Sequence, residues 1–305
     1  MPALIIDLHC DLLSYLSEDS HRTPFQEDSN CSLPQMKKGG VELQTLAVFT
    51  ETKKGSRRNA EHQLQLYRET LLPEKEAPQF ALAIENGSSL LEQGESIDLL
   101  SSRLDEERWL YISLTWKEEN RFGGGDQTTV GLKEDGRILL ELMSERNIPI
   151  DLSHTSDRLA EEILNTLHKK NLPLIPVASH SNFRSIKKVP RNLPDEFAKE
   201  IIAFGGVIGI NFVRHFVGDK PEDFLKHVRH GLSLGGENAL ALGADFFGGL
   251  SAPKLEHLKP FFFPALPNSS CYPDFLSLLS SEFSTEQVEK IAYKNGSEFL
   301  KKITD

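Results

Sequence analysis

The stretch LIIDLHCDLL, residues 4–13, sets a histidine and two aspartates inside a run of otherwise mostly aliphatic residues. The apolar start, β-branched at Ile5 and Ile6, predicts a buried strand over Leu4–His9. Side chains two apart on a strand share a face, so Asp7, His9 and Asp11 are expected on one side and Cys10 on the other. The same signature recurs downstream. Glu85 closes FALAIE, His154 closes IPIDLSH, His180 closes PLIPVASH and Asp245 closes ALALGAD. One polar group at a strand end carries little information. Five such ends in one chain predict a ring of strands aimed at a common point. That is an α/β fold of the (β/α)₈ TIM-barrel type, with its site at the C-terminal mouth of the strands.

Working outward, eight segments read as strands: Leu4–His9, Leu43–Thr50, Phe80–Glu85, Trp109–Thr115, Pro149–His154, Leu174–His180, Gly206–Asn211 and Ala239–Asp245. Amphipathic stretches lie between them. Asn59–Leu72 carries Leu64, Tyr67 and Leu71 on one stripe, and Arg137–Arg146 carries Leu139, Leu142 and Met143. Ser156–His168 opens with a helix cap at Thr155 or Ser156, and Pro194 suits the first turn of a helix over Asp195–Phe204. No linker or low-complexity tract interrupts the alternation, so one domain over residues 1–305 is expected. An open doubly wound sheet is the competing architecture, but no GxGxxG or P-loop follows any strand. The Phe-rich KPFFFPALP, residues 259–267, reads as a packed loop, or as a rim of the pocket or of an oligomer interface.

Composition narrows the function. The chain has 34 Lys and Arg against 45 Asp and Glu, a net charge of −11, and its basic pairs are scattered. Nucleic acid is not an expected partner, because phosphate contacts need clustered cations. Three distant cysteines, Cys10, Cys31 and Cys271, form neither a disulfide framework nor a CxxC metal site. The N-terminus shows no basic leader, and no apolar run approaches the ~20 residues of a membrane helix. The expectation is a cytoplasmic protein with no membrane partner.

The strand-end residues suggest metal chemistry. His9 and Asp11 offer one nitrogen and one oxygen to a shared ion. Glu85, at the end of an apolar strand, either caps the next helix or ligates a cation, since a buried carboxylate needs compensation. His154 and His180 end neighbouring strands, each after a small serine that leaves room for a ligating ring. His9, Asp11 and Glu85 form one candidate ligand set, and Glu85, His154 and His180 a second, with Glu85 shared. Each leaves a position open, as in catalytic zinc sites, and N/O ligation suits Zn²⁺ with Mn²⁺, Fe²⁺ or Co²⁺ as alternatives. Two ions near one water would make it a nucleophile near neutral pH. Asp245 is placed to accept its proton and pass it to a leaving amine. The expected reaction is metal-assisted hydrolysis of an amide.

As an ordered set, these residues resemble the renal (membrane) dipeptidase family of the metal-dependent amidohydrolase-like barrels. The resemblance runs over nearly the whole chain. It rests on DLHCD (7–11), LPQMKKGGVELQTLAVF (33–49), AIENG (83–87), LTW (114–116), DLSH (151–154), SHSNF (179–183), RNLPDE (191–196), ALGADFFG (241–248) and NGSEFL (295–300). It implies a zinc-dependent dipeptidase with two ions per chain, often tolerant of a D-residue at the substrate's C-terminal position, and a homodimer. Residue by residue, His9, Asp11, Glu85, His154 and His180 match the metal ligands, with Glu85 as the bridge. Asp245 matches the acid/base aspartate, and Arg191 the arginine that binds the substrate's C-terminal carboxylate. A guanidinium can hold a carboxylate at two points. Two positions depart from the pattern. Trp116 stands where mammalian members have a substrate-binding histidine, which makes it a candidate pocket wall, and Phe247 replaces the second acid of GDFDG. A different amidohydrolase-type reaction, on a lactone or phosphoester or by deamination, and a barrel that has become a binding protein are the competing readings.

Overall fold

The computed structural model describes residues 4–249 and 258–304. Eight parallel strands form one sheet: β1 Ile5–Cys10, β2 Val41–Phe49, β3 Gln79–Glu85, β4 Trp109–Ser113, β5 Ile150–Asp151, β6 Pro176–Val177, β7 Ile208–Ile210 and β8 Leu240–Leu242. Their order is β6-β5-β4-β3-β2-β1-β8-β7. The last gap closes through the Ala178–Ile208 bridge, where the Ala178 N–H donates to Val207 O at 2.9 Å and the Gly209 N–H to Ala178 O at 2.8 Å. The fold is therefore the expected (β/α)₈ barrel.

Helices return the chain between strands, among them Ser56–Leu66, Glu134–Glu145, Asp157–Lys170, Asp195–Ala203 and Asp223–Ser233. Ser156 caps Asp157–Lys170, its hydroxyl accepting from the Leu159 N–H at 3.0 Å. Pro194 precedes its helix as the cap residue rather than lying in the first turn. Two cores result. Ile5, Cys10, Leu46 and Ile150 belong to the large layer between sheet and helices. Ile6, Leu8, Ala83, Tyr111 and Val207 fill the barrel, joined by Phe299 of the C-terminal helix Asn295–Thr304. KPFFFPALP is packed: Phe262 and Phe263 are buried, and Phe262 lies 5.0 Å from Phe246 between ring centres.

Two expectations about strands need correction. Asp7 does not share the face of His9. Asp7 pairs with Gln44 and Cys10 with Leu46, so three steps along β1 match two along β2. This bulge breaks the alternation. The Asp7 carboxylate instead accepts from the Tyr272 hydroxyl and, at 2.9 Å, from the Ala244 N–H. β5, β6 and β8 are also shorter than read, so His154, His180 and Asp245 lie in the turns after their strands. His154 and Asp245 hold left-handed backbone, with φ of 65° and 62°. That conformation is uncommon for non-glycine residues and costs of order 1–3 kcal/mol each.

Candidate metal centre

The C-terminal ends of β1 and β3 and the turns after β1, β5, β6 and β8 bring three imidazoles and three carboxylates to one end of the barrel. His9 Nε2 lies 3.4 Å from Glu85 Oε2 and 3.9 Å from Asp245 Oδ1. His154 Nε2 lies 2.9 Å from Glu85 Oε1 and 3.0 Å from His180 Nε2, and His180 Nε2 is 3.7 Å from Glu85 Oε1. Glu85 thus has one oxygen towards each side. It does not cap the next turn, because the Asn86 side chain takes that role by accepting from the Ser88 N–H. Asp11 is the residue before the helix Leu12–Glu18, and with His9 and Asp245 it forms one cluster whose candidate ligand atoms lie within 4.8 Å of one another. His9, Glu85 and His180 form another.

The hydrogen bonds around the rings fix which nitrogen faces the cluster. The Tyr111 hydroxyl donates to Leu8 O at 2.7 Å, so its oxygen accepts from His9 Nδ1–H, also at 2.7 Å. The Ser179 hydroxyl donates to Asp151 Oδ2 at 2.6 Å and accepts from His180 Nδ1–H at 2.7 Å. Both rings therefore carry the proton on Nδ1 and turn an Nε2 lone pair inwards, the arrangement that a ligating histidine needs. The serine before His180 thus orients the ring rather than merely leaving room. Asp151 is itself fixed, accepting from Ser113 Oγ and from the N–H groups of Ser153 and Ser179.

Electrostatics point the same way. Burial, together with nearby cations, holds His154 and His180 well below the usual histidine range, so both are neutral. Burial pushes Glu85 up to about 8, against the pull of Arg191, and Asp245 up to about 7, against the pull of His9. Asp11 is raised by burial and then by Glu85. Buried, mutually repelling carboxylates of this kind call for a cation. His9 Nε2 and Asp11 Oδ1 are buried without a hydrogen-bond partner. The donor set suits a metal ion of the N/O-ligated class.

Around this cluster, the Asn211 amide donates to Asp245 Oδ2 at 2.8 Å and leaves Oδ1 towards His9. Arg191 is buried and forms no pair with Asp195, whose carboxylate meets His230 instead. Its Nη1 donates to Ser181 Oγ at 2.8 Å and its Nη2 to His180 O at 2.9 Å, while Nε has no partner. Trp116 stands 6.2 Å from His154 between ring centres, edge-on to Phe49 at 4.7 Å. Phe247 packs on Phe261 and Phe262. Sequence reading missed Tyr111 and Asn211. Asn211 follows β7 as His154, His180 and Asp245 follow their strands, so its position was a usable signal. Nothing in the local pattern marks Tyr111.

Fold and site together define a (β/α)₈ barrel with a metal-competent mouth. The membrane dipeptidase model of peptidase family M19 matches residues 2–305, and the chain belongs to that family. Similar solved structures include a metallo peptidase from Rhodobacter sphaeroides liganded with a phosphinate mimic of the dipeptide L-Ala-D-Ala (TM-score 0.83, 18% identity, 99% of each chain). A probable dipeptidase from Pseudomonas aeruginosa superposes with a TM-score of 0.74 at 14% identity, over 99% of this chain and 95% of that one. At these identities the likeness speaks for the fold. Among sequence relatives, an uncharacterized protein of the pqqA 5′ region of Klebsiella pneumoniae is 32% identical over 149 residues, which is 44% of this chain and 53% of that protein. An uncharacterized dipeptidase of Schizosaccharomyces pombe is 28% identical over 197 residues, 61% of this chain and 44% of that protein. The matched stretch is thus about half the length of either relative. No described helix is long and apolar enough to cross a membrane.

Proposed function

We propose that this protein is a zinc-dependent dipeptidase that hydrolyses the amide bond of short peptides with free termini. The observation that carries the reading is the convergence of His9, Asp11, Glu85, His154 and His180, with inward Nε2 lone pairs on His9 and His180 and with Glu85 between two imidazole groups. These five residues would hold two ions, with Glu85 shared. Bound there, the ions would polarise the scissile carbonyl and make water nucleophilic near neutral pH. Asp245, steered by Asn211, takes up the proton of the attacking water and returns it to the leaving amine. Arg191 has two N–H bonds committed to the protein and keeps the Nε edge of its guanidinium for the substrate's carboxylate. Trp116 walls the pocket beside His154. The phosphinate mimic of L-Ala-D-Ala in the Rhodobacter enzyme supports including substrates with a C-terminal D-residue.

The test is direct. Zinc-loaded protein, assayed for free amino acids against a panel of L,L and L,D dipeptides, is expected to turn over at least one class. No turnover on any member, with two equivalents of zinc bound, overturns the proposal.

A further inference from the structure

Asp126 lies in FGGGDQ, residues 122–127, within the loop between β4 and the helix Glu134–Glu145. That loop is tied to the turn after β5, where the Ser156 N–H donates to Gly124 O at 2.9 Å. Gly125 bridges Thr155, the residue after His154, and its N–H donates to Glu118 O at 3.0 Å. The Gln127 N–H donates to Lys117 O at 3.0 Å. A Cβ at position 125 would meet Trp116 O at 1.7 Å, so only glycine permits this approach. Asp126 is therefore held beside Trp116 and the turn that carries His154.

Its Oδ1 is buried and accepts no hydrogen bond. The cations whose fields reach it are Arg191, then Lys117 and Arg184. Each is committed elsewhere: Arg191 to Ser181 and His180 O, Lys117 over the Trp116 ring at 4.1 Å, and Arg184 to both oxygens of Asp157. A buried carboxylate oxygen without a donor is costly. Burial pushes its pKa up to about 6, with Arg191 opposing. Arg191 has the complementary defect, a buried Nε–H with no acceptor. Arg191 is tied to the backbone of His180, and Asp126 follows the glycine that bridges the residue after His154, so a free positive edge and a free negative oxygen both lie beside turns that carry ligand candidates.

We propose that Asp126 is a specificity-determining residue that binds the free α-ammonium of the substrate, so that the pocket reads a dipeptide zwitterion from both ends. The inference rests on the dipeptidase reading and assigns to Asp126 the recognition of the substrate's free N-terminus.

The test compares L-Ala-D-Ala with N-acetyl-L-Ala-D-Ala on zinc-loaded wild type, D126N and D126E. Asp126→Asn is expected to lower kcat/KM for the free dipeptide about 10- to 100-fold, mainly through KM, the value of a charge-assisted hydrogen bond. Turnover of the acetylated substrate should change less than about twofold, and D126E should recover part of the preference. Equal losses on both substrates, or no loss on the free one, overturn the assignment. Calorimetric titration of L-Ala-D-Ala into the same zinc-loaded proteins separates this inference from the catalytic one. If wild type turns over neither peptide, tighter binding to wild type than to D126N still supports the role of Asp126, whereas equal or undetectable binding overturns it. Matched melting temperatures for the variants exclude misfolding as the cause of any loss.

Discussion

At the scale of single residues, side chains that are not ligand candidates decide how the histidines present themselves. Tyr111 and Ser179 accept the Nδ1 protons of His9 and His180, and Asn211 occupies one oxygen of Asp245. The local pattern named the ligand candidates because a charge at the end of an apolar run is conspicuous. Tyr111 escaped it because a tyrosine within WLYIS looks like any other strand residue, and Asp126 because it lies in a loop of small and polar residues. Asp245→Asn keeps the shape and the bond from Asn211 but removes the proton acceptor. It is expected to lower kcat about 10²- to 10⁴-fold while zinc content, measured by elemental analysis, stays unchanged. A variant that loses metal together with activity would make Asp245 a ligand instead.

At the scale of elements, departures from regular structure position the site. The β1 bulge turns His9 to the mouth and Asp7 to Tyr272, and the left-handed residues His154 and Asp245 end their segments sharply. Strand periodicity alone placed Asp7 wrongly, because a bulge has no signature in the alternation it interrupts. A buried histidine away from the mouth ties helix Asp223–Ser233 to the barrel. His227 Nδ1 accepts from the Phe183 N–H at 3.1 Å, and Nε2 donates to Val217 O at 2.9 Å. Burial lowers its pKa to about 4 from an ordinary 6.5. The unfolded chain therefore binds this proton first, and the stability that His227 contributes is complete above about 6.5 and lost as pH falls towards 4. In urea titrations of metal-free protein between pH 7 and 4, wild type should lose about 3 kcal/mol more than His227→Gln. Parallel losses would show that another group governs the acid limb.

At the scale of the whole molecule, the carboxylates of the mouth tie stability to the metal. Burial raises Glu85 from 4.5 to about 8 and Asp245 from 3.8 to about 7 in the metal-free protein. The folded state then holds protons that the unfolded state has released, so metal-free stability falls as pH rises across that window. A bound cation favours the ionised carboxylates and removes the penalty. The difference in Tm between zinc-loaded and chelated protein should therefore widen from about pH 5 to about pH 8. A gap independent of pH would detach these carboxylates from metal binding.

The barrel was legible in the chain alone, because eight short apolar runs separated by amphipathic stretches leave few ways to bury both faces of a parallel sheet. The sequence also named the side chains that meet at the mouth, because each closes such a run. Long-range packing set which nitrogen of His9 and of His180 faces inwards, turned Asp7 away and brought Asn211 to Asp245. Those features depend on groups tens to hundreds of residues apart, such as Tyr111 on His9 and Asn211 on Asp245, and no local pattern encodes such meetings.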